Sequence, residues 1–108
     1  EILGDLDLLV VPSLWFENSP LTVHEAAACG VPVLASPLPE IRAVVGQGVG
    51  VLADPQDTGA VAAALRSALD PRLHARWAAA APAVLAPYTW NEGRRTFRAL
   101  LDRLLPPT

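Results

Sequence analysis

Residues 6–35 read LDLLVVPSLWFENSPLTVHEAAACGVPVLA and contain two apolar runs separated by a polar loop and an alanine-rich segment. The first run, Leu6–Val11, is apolar apart from Asp7, which is typical of a strand that is covered on both faces in a parallel sheet. The second run, Val31–Ala35, predicts another strand, since a single proline is tolerated near a strand start. Two strands joined by a helix of this length predict a parallel βαβ unit.

The segment between these strands contains the signals of a helix start. Ser19 is a suitable N-cap, and Pro20 then falls at the first helical position, where a missing N–H has no cost. The helix is predicted to extend over Leu21–Cys29 and to stop at Gly30. A helix N-terminus offers unpaired N–H groups and a partial positive charge, which suits a phosphate.

Two carboxylates flank this helix start. Glu17 lies in the loop before it, and Glu25 lies one turn into the helix, eight positions later. At the carboxyl end of a parallel sheet, one acid could hold the hydroxyl pair of a ribose and the other a sugar, so the spacing indicates a nucleotide-sugar pocket. The alternative is that both acids are ordinary solvated surface residues.

The rest of the chain predicts one more strand and several helices. Ile41–Val45 is predicted as a short helix, and Val49–Leu52 as a third strand entered through a glycine-rich turn. A helix capped by Asp57 should run to Leu69 with an apolar face, and Asp70-Pro71 should start another. The fold class is therefore predicted to be α/β, with a parallel sheet and helices on both faces.

Pro82 is predicted to end or kink the second of these helices. Thr89 and Glu92 have the spacing of a capping box for the last helix. Four apolar side chains of that helix recur at helical spacing: Phe97, Leu100, Leu101 and Leu104. Its arginines lie off this face and could contact an anionic lipid surface, but interspersed acids favour an ordinary solvated face.

Several single residues carry expectations of their own. Trp15 and Phe16 are expected to pack over the end of the sheet, with the wall of a sugar or base pocket as the alternative. His24 is expected to be structural, and the lone cysteine, Cys29, to be a small buried side chain. Glu40 is expected to help cap the short helix that follows it.

The composition limits the function classes. The chain has 108 residues, a net charge of −3 and 52% hydrophobic residues, which predicts one folded domain. No basic stripe indicates nucleic-acid binding, no apolar run approaches a membrane span, and no cluster of metal ligands is visible. A single cysteine excludes an internal disulfide and is compatible with the cytoplasm. The absence of lysine beside abundant arginine and alanine is typical of a G+C-rich bacterial genome.

Residues 7–36 resemble the signature of retaining glycosyltransferases with the GT-B fold, family 4, also called glycosyltransferase group 1. The family pattern is a strand, Pro-Ser, a Glu, seven residues, a second Glu, Ala, and then Gly-x-Pro-Val. The matching residues are Pro12, Ser13, Glu17, Glu25, Ala26, Gly30, Pro32 and Val33. Residues 49–57 and 88–92 resemble the next strand and the terminal helix of the family, so the resemblance covers nearly the whole chain.

The resemblance implies a role for each matching residue. Glu25 would hold the ribose hydroxyls of the nucleotide, and Glu17 would be the catalytic residue that contacts the donor sugar near its reacting carbon. The backbone N–H groups of Leu21 and Thr22 would hold the diphosphate, and Ser19 could add its hydroxyl. The family scheme needs no metal and no cofactor, since the nucleotide-diphosphate sugar is a substrate.

The loop between the acids departs from the family pattern. Many members have Glu-Gly-Phe-Gly where this chain has Glu17, Asn18, Ser19 and Pro20. Asn18, Ser19 and Pro20 would still belong to the donor-binding loop. Pro20 lacks the N–H that a glycine could offer the sugar, so the resemblance leaves the donor sugar open.

The resemblance implies that residues 1–108 are the C-terminal part of a Rossmann-like, nucleotide-sugar-binding domain. The acceptor-binding domain and the glycine-rich loop of the family would lie upstream, so this piece alone is expected not to transfer sugar. The expected partners are a nucleotide-sugar donor and a glycan, lipid or small-molecule acceptor, in the cytoplasm or at the inner face of the membrane. Two alternatives remain: a non-catalytic binding or interaction domain, and a nucleotide-sugar epimerase of the same fold.

Overall fold

The protein folds as an α/β domain built on a short parallel sheet, described by a computed structural model for residues 2–16 and 18–105. The strands lie in the order β1-β2-β3 and are β1 (Leu9–Val11), β2 (Val33–Ala35) and β3 (Gly50–Leu52). The helices are α1 (Leu21–Ala28), α2 (Pro39–Val45), α3 (Thr58–Ala68), α4 (Pro71–Leu85) and α5 (Trp90–Leu104). Short 3-10 helices cover Ile2–Asp5 and Ala86–Tyr88. The predicted α/β class is confirmed.

Each strand is shorter than its apolar run. Leu9 pairs with Val33 and Val11 with Ala35, and β2 pairs with β3 in parallel over an equally short register. Leu6 and Leu8 lie before the paired segment, because a residue joins a strand only where a neighbouring backbone supplies the partner N–H and C=O groups. Apolar composition therefore predicted the position of the strands correctly and their length incorrectly.

Helices cover both faces of the sheet, as predicted. Val33 and Ala35 of β2 point into a core shared with α1, α2 and α4. Leu34, between them, points to the opposite face and packs against Ala64 of α3 and Ala53. This alternation is the two-residue period of a strand buried on both sides, which explains the continuously apolar sequence.

The end of α1 is a Schellman motif. Gly30 has a φ of +74° and its N–H donates to the Ala27 carbonyl at 2.9 Å, while the Val31 N–H donates to the Ala26 carbonyl at 2.9 Å. Both bonds need a left-handed residue at this position, which glycine adopts without a Cβ clash. The predicted stop at Gly30 is confirmed.

Aspartates start the two helices that follow the sheet, as predicted. Asp57 Oδ1 accepts a hydrogen bond from the Ala60 N–H at 2.9 Å, and Asp70 Oδ1 accepts one from the Arg72 N–H at 2.8 Å. The predicted apolar face of α3 is only half buried, since its alanines lie in the interior and Leu69 is exposed.

Helix α4 continues through Pro82 to Leu85, so the prediction that it ends at this proline is wrong, and the alternative of a kink stays a prediction. Pro82 lies on the exposed side of the helix, while Trp77, Ala81 and Val84 are buried. Packing of these side chains holds the helix together on both sides of the proline, even though proline removes one backbone hydrogen bond.

Helix α5 begins with half of the predicted capping box. The Glu92 N–H donates to Thr89 Oγ1 at 3.3 Å, but the Glu92 carboxylate pairs with Arg95 Nε at 3.0 Å instead of reaching back to Thr89. The apolar face of α5 is exposed at Phe97 and Leu104. In the described part of the chain, no helix is both long and apolar enough to cross a membrane.

Candidate functional site

Three connections leave the carboxyl edge of the sheet, after β1, β2 and β3. Ser36, fully buried, ties the first two together: its N–H donates to the Val11 carbonyl at 3.1 Å and its hydroxyl donates to the same carbonyl at 3.4 Å. The Ala53 N–H donates to the Ala35 carbonyl at 3.0 Å. These bonds hold the edge from which the loop before α1 emerges.

The start of α1 differs by one residue from the prediction. Pro20 itself is the N-cap, with φ −75° and ψ 85°, and no side chain caps the helix. Ser19 is exposed and one position too early, so its predicted role as the N-cap is wrong. The cause is the conformation of Pro20: its φ is compatible with a helix, but its ψ is not, so the first helical residue is Leu21.

The first two N–H groups of α1, those of Leu21 and Thr22, have no acceptor within the described residues. The next two N–H groups, those of Val23 at 3.0 Å and His24 at 3.4 Å, donate to the Pro20 carbonyl. The N–H groups of Leu21 and Thr22 are therefore the two unpaired donors of this helix start. Both Leu21 and Thr22 are exposed. Two free backbone donors at a helix N-terminus are suited to bind an anion such as a diphosphate.

Glu25 lies one turn along the same helix and is exposed. Over residues 2–16 and 18–105, its carboxylate forms neither an ion pair nor a hydrogen bond. A carboxylate without a protein partner can accept hydrogen bonds from ligand hydroxyl groups. The geometry therefore leaves both features of the predicted nucleotide site, the N–H donors and the acid, open to a ligand.

The loop before α1 borders a hollow of about 180 Å³. Asn18, Ser19 and Pro20 form one side of it, and Glu40 and Tyr88 lie on the others. The prediction that Glu40 caps α2 is wrong, because Leu38 is the N-cap and no side chain accepts a capping bond there. Glu40 is half-buried in the first turn of α2 and faces this hollow.

Three other expectations concern this edge and the far end of α1. Glu17 lies outside the described residues. Trp15 and Phe16 do not pack over the sheet, since 85% and 73% of their surfaces are exposed. Cys29 is exposed instead of buried, because the helix ends there and its side chain faces away from the core.

A contact between His24 and Tyr88 joins the site to the end of α4, and nothing in the sequence predicts it. Their rings meet edge to face, with centroids 4.6 Å apart and planes at 64°. His24 was expected to be structural, but Tyr88, which follows α4 in the chain, was not expected to be its partner. No local signal links two positions so far apart, because α4 packing on α1 brings them together.

A larger hollow, of about 500 Å³, does not resemble a binding site. It lies along one side of α5, with Arg94, Arg98 and Phe97 among its lining residues. A single helix forms it, so its far side is open to solvent. The residues at the carboxyl edge of the sheet remain the better candidate.

Comparison with known proteins shows which family the chain belongs to. Residues 1–84 match the family described as glycosyl transferases group 1. This chain belongs to the group 1 glycosyltransferases. The matched segment includes all three strands and the whole of α1, so the candidate site lies inside the family domain.

A solved structure supports the same assignment of fold. Sucrose-phosphate synthase from Thermosynechococcus elongatus superposes on this glycosyltransferase chain with a TM-score of 0.80 and 30% sequence identity. The match covers 95% of this chain and 26% of that chain, so the chain spans about a quarter of the length of the structure it matches. No curated protein sequence matches the chain significantly. The fold is that of a Rossmann-like part of a GT-B glycosyltransferase.

Proposed function

We propose that this chain is the donor-binding part of a retaining glycosyltransferase of family 4. It binds a nucleotide-diphosphate sugar, whose hexosyl group is transferred to a glycan, lipid or small-molecule acceptor. Membership of the group 1 glycosyltransferases supports glycosyl transfer, and the similar solved structure is named as a synthase of sucrose phosphate. The acceptor site would be provided by the rest of a longer polypeptide, in the cytoplasm or at the inner face of the membrane.

One observation carries this proposal: the unpaired N–H groups of Leu21 and Thr22 lie on the same helix as the unpaired carboxylate of Glu25. The N–H groups suit the diphosphate, and the carboxylate suits the two ribose hydroxyls. A carboxylate would repel a phosphate placed directly against it, so the two features divide the nucleotide between them. Their position at the carboxyl edge of a parallel sheet is where nucleotides bind in such folds.

In the proposed reaction, the bond between the sugar and the diphosphate breaks while the acceptor hydroxyl oxygen bonds to the same sugar carbon from the same face, and the hydroxyl proton passes to the leaving diphosphate. Negative charge grows on the leaving diphosphate, and fixed N–H groups at the start of α1 stabilise it more in the transition state than in the bound substrate. Glu17 would lie near the reacting carbon, as the family resemblance implies. Asn18 and Ser19 would contact the donor, whereas Pro20 contributes shape but no N–H, and its carbonyl accepts hydrogen bonds from within α1.

Calorimetric titration of the chain with nucleotides tests the proposal. UDP, GDP and ADP, each compared with its monophosphate, identify the base and the contribution of the second phosphate. We expect one diphosphate to bind more tightly than its monophosphate. Glu25→Gln should weaken both by about 10- to 100-fold, since a hydrogen bond to a charged group is being lost.

The matched control is Asp7→Asn, which removes one exposed carboxylate near the opposite end of β1. It should leave the affinities unchanged. A 2′-deoxynucleotide provides a second check, because the wild-type chain should bind it more weakly and Glu25→Gln should no longer distinguish it from the ribonucleotide. Failure of every nucleotide to bind, or equal affinities for wild type and Glu25→Gln, would contradict the proposal.

A further inference from the structure

The imidazole of His24 forms a hydrogen bond to the residue that begins its own helix. His24 Nδ1 lies 3.1 Å from the carbonyl oxygen of Pro20. Because a carbonyl oxygen can only accept, Nδ1 carries the hydrogen and Nε2 is the unprotonated nitrogen of the neutral ring. The same oxygen also accepts the backbone N–H groups of Val23 and His24, so three donors converge on it.

The rest of the ring is held by packing. Nε2 is buried and has no hydrogen-bond partner among the residues that the structure describes. The ring meets Tyr88 edge to face at 4.6 Å, and Tyr88 belongs to the 3-10 helix that follows α4. Tyr88 therefore limits the rotation of the imidazole, which keeps Nδ1 directed at the Pro20 carbonyl.

Fixing the Pro20 carbonyl also fixes a donor on the opposite side of the same peptide group. The carbonyl of Pro20 and the N–H of Leu21 belong to one planar unit and point in opposite directions. Any rotation of this plane would turn the Leu21 N–H away from its present direction. The His24 hydrogen bond resists that rotation, and the N–H it orients is one of the two unpaired donors at the start of α1.

We propose that His24 is a positioning residue that aims the Leu21 N–H at the diphosphate of the donor, with Tyr88 holding the imidazole in place. This inference rests on the proposed function, because it assigns a residue to the same nucleotide site. The role assigned to His24 acts through the Pro20 carbonyl, since Nδ1 bonds to that oxygen and Nε2 is buried.

Two substitutions separate the hydrogen bond from the ring contact. His24→Phe keeps an aromatic ring against Tyr88 but has no donor for the Pro20 carbonyl. His24→Asn loses the ring but keeps an amide N–H close to the place of Nδ1. We expect His24→Phe to reduce the preference for nucleoside diphosphate over monophosphate about threefold to tenfold, and His24→Asn to restore most of it.

The readout is the ratio of the two dissociation constants, measured by calorimetry together with the melting temperature. The affinity for the monophosphate should stay within about twofold in both variants, because the nucleoside contacts are elsewhere on α1. The amide resonance of Leu21 in a ¹⁵N-labelled sample should shift in His24→Phe and return toward its wild-type position in His24→Asn.

Three outcomes would overturn the inference. The first is a wild-type ratio in His24→Phe, and the second is an equal loss for both nucleotides with a lower melting temperature, which indicates a purely structural role. The third is an unchanged Leu21 resonance. If His24→Phe does not fold, Tyr88→Leu, which frees the ring but keeps the donor, must lower the same ratio. A wild-type chain that binds both nucleotides equally would refute the proposed function itself, which is a separate result.

Discussion

Replacing Gly50 by alanine should disrupt the pairing of β2 and β3. A Cβ atom at this position would lie 1.9 Å from the carbonyl oxygen of Val33, its partner in the parallel register. An ordinary contact begins at 3.4 Å, so the two backbones would have to separate by about 1.5 Å. The position of the Cβ atom is fixed by the backbone of residue 50, and the carbonyl oxygen belongs to the backbone of Val33. Both backbones are held in the sheet, so no side-chain rotation can relieve the overlap.

The expected loss follows from the bonds that such a shift would break. The Val33 N–H donates to the Val49 carbonyl at 3.2 Å, and the Ala53 N–H donates to the Ala35 carbonyl at 3.0 Å, so both span the gap between the strands. Overpacking costs about 1–3 kcal/mol, and each lost hydrogen bond about 1 kcal/mol. A total of about 2–5 kcal/mol is a large part of the stability of a small domain, which is about 5–15 kcal/mol.

Urea and thermal unfolding, followed by far-ultraviolet circular dichroism, measure this loss. We expect the melting temperature of Gly50→Ala to fall by more than about 10 °C. Gly93→Ala is the matched control, since a Cβ there meets nothing within 4 Å in the first turn of the exposed helix α5. That control should be neutral or stabilising by up to about 1 kcal/mol. A free energy of unfolding for Gly50→Ala within about 0.5 kcal/mol of wild type would refute the reasoning.

Three further results are expected, the first two from the same unfolding assays and the third from amide hydrogen exchange. Gly30→Ala should destabilise the chain by about 1–2 kcal/mol, because a Cβ is strained at a φ of +74° even where the space is open, and equal stability would contradict the left-handed helix end. Asp57→Ala should cost about 0.5–2 kcal/mol through loss of the bond from Ala60, whereas Asp57→Asn should cost less. Arg95 lowers the pKa of Glu92, chiefly by hydrogen bonding. The Glu92–Arg95 pair therefore stabilises α5 fully at pH values above the ordinary pKa of Glu92. This stabilisation is lost as the pH falls through the lowered pKa. The protection of α5 amides against hydrogen exchange, taken relative to the intrinsic rate at each pH, should decrease as the pH falls through that range in the wild type and change less in an Arg95→Gln variant.

The binding experiments described above test the function independently of these stability measurements. Glu25→Gln and Asp7→Asn compare two exposed carboxylates, of which only the first shares a helix with the unpaired N–H groups. The His24 variants then ask how those N–H groups are oriented. A variant with a lower free energy of unfolding that still binds nucleotides with wild-type affinity would show that the stability predictions and the binding predictions are tested independently.

Local sequence was sufficient where the physical cause is local. Gly30 ends α1 because a left-handed residue is needed one position beyond the helix, and Asp57 starts α3 because its carboxylate reaches an N–H three residues ahead. The continuously apolar run around Val33 predicted a buried parallel strand, since helices cover both faces of such a sheet. The location of the candidate site followed from these elements, because the carboxyl ends of parallel strands share one edge.

Local sequence failed where distant segments decide the outcome. Pro82 was expected to end or kink α4, but the helix does not end there, because Ala81 and Val84 are buried against the rest of the fold. Cys29 and Trp15 have side chains typical of the interior, yet both are exposed, because composition does not say which way a residue points at the end of an element.

The sequence by itself determined the α/β class and the order of the strands and helices along the chain. Only the tertiary structure decided that Pro20 caps α1, that Gly50 must be glycine, and that Tyr88 meets His24. The physical reason is the range of the interactions. Capping, turns and helical periodicity act within a few residues, whereas strand register and the packing of α4 against α1 join backbone and side chains that are far apart in the chain.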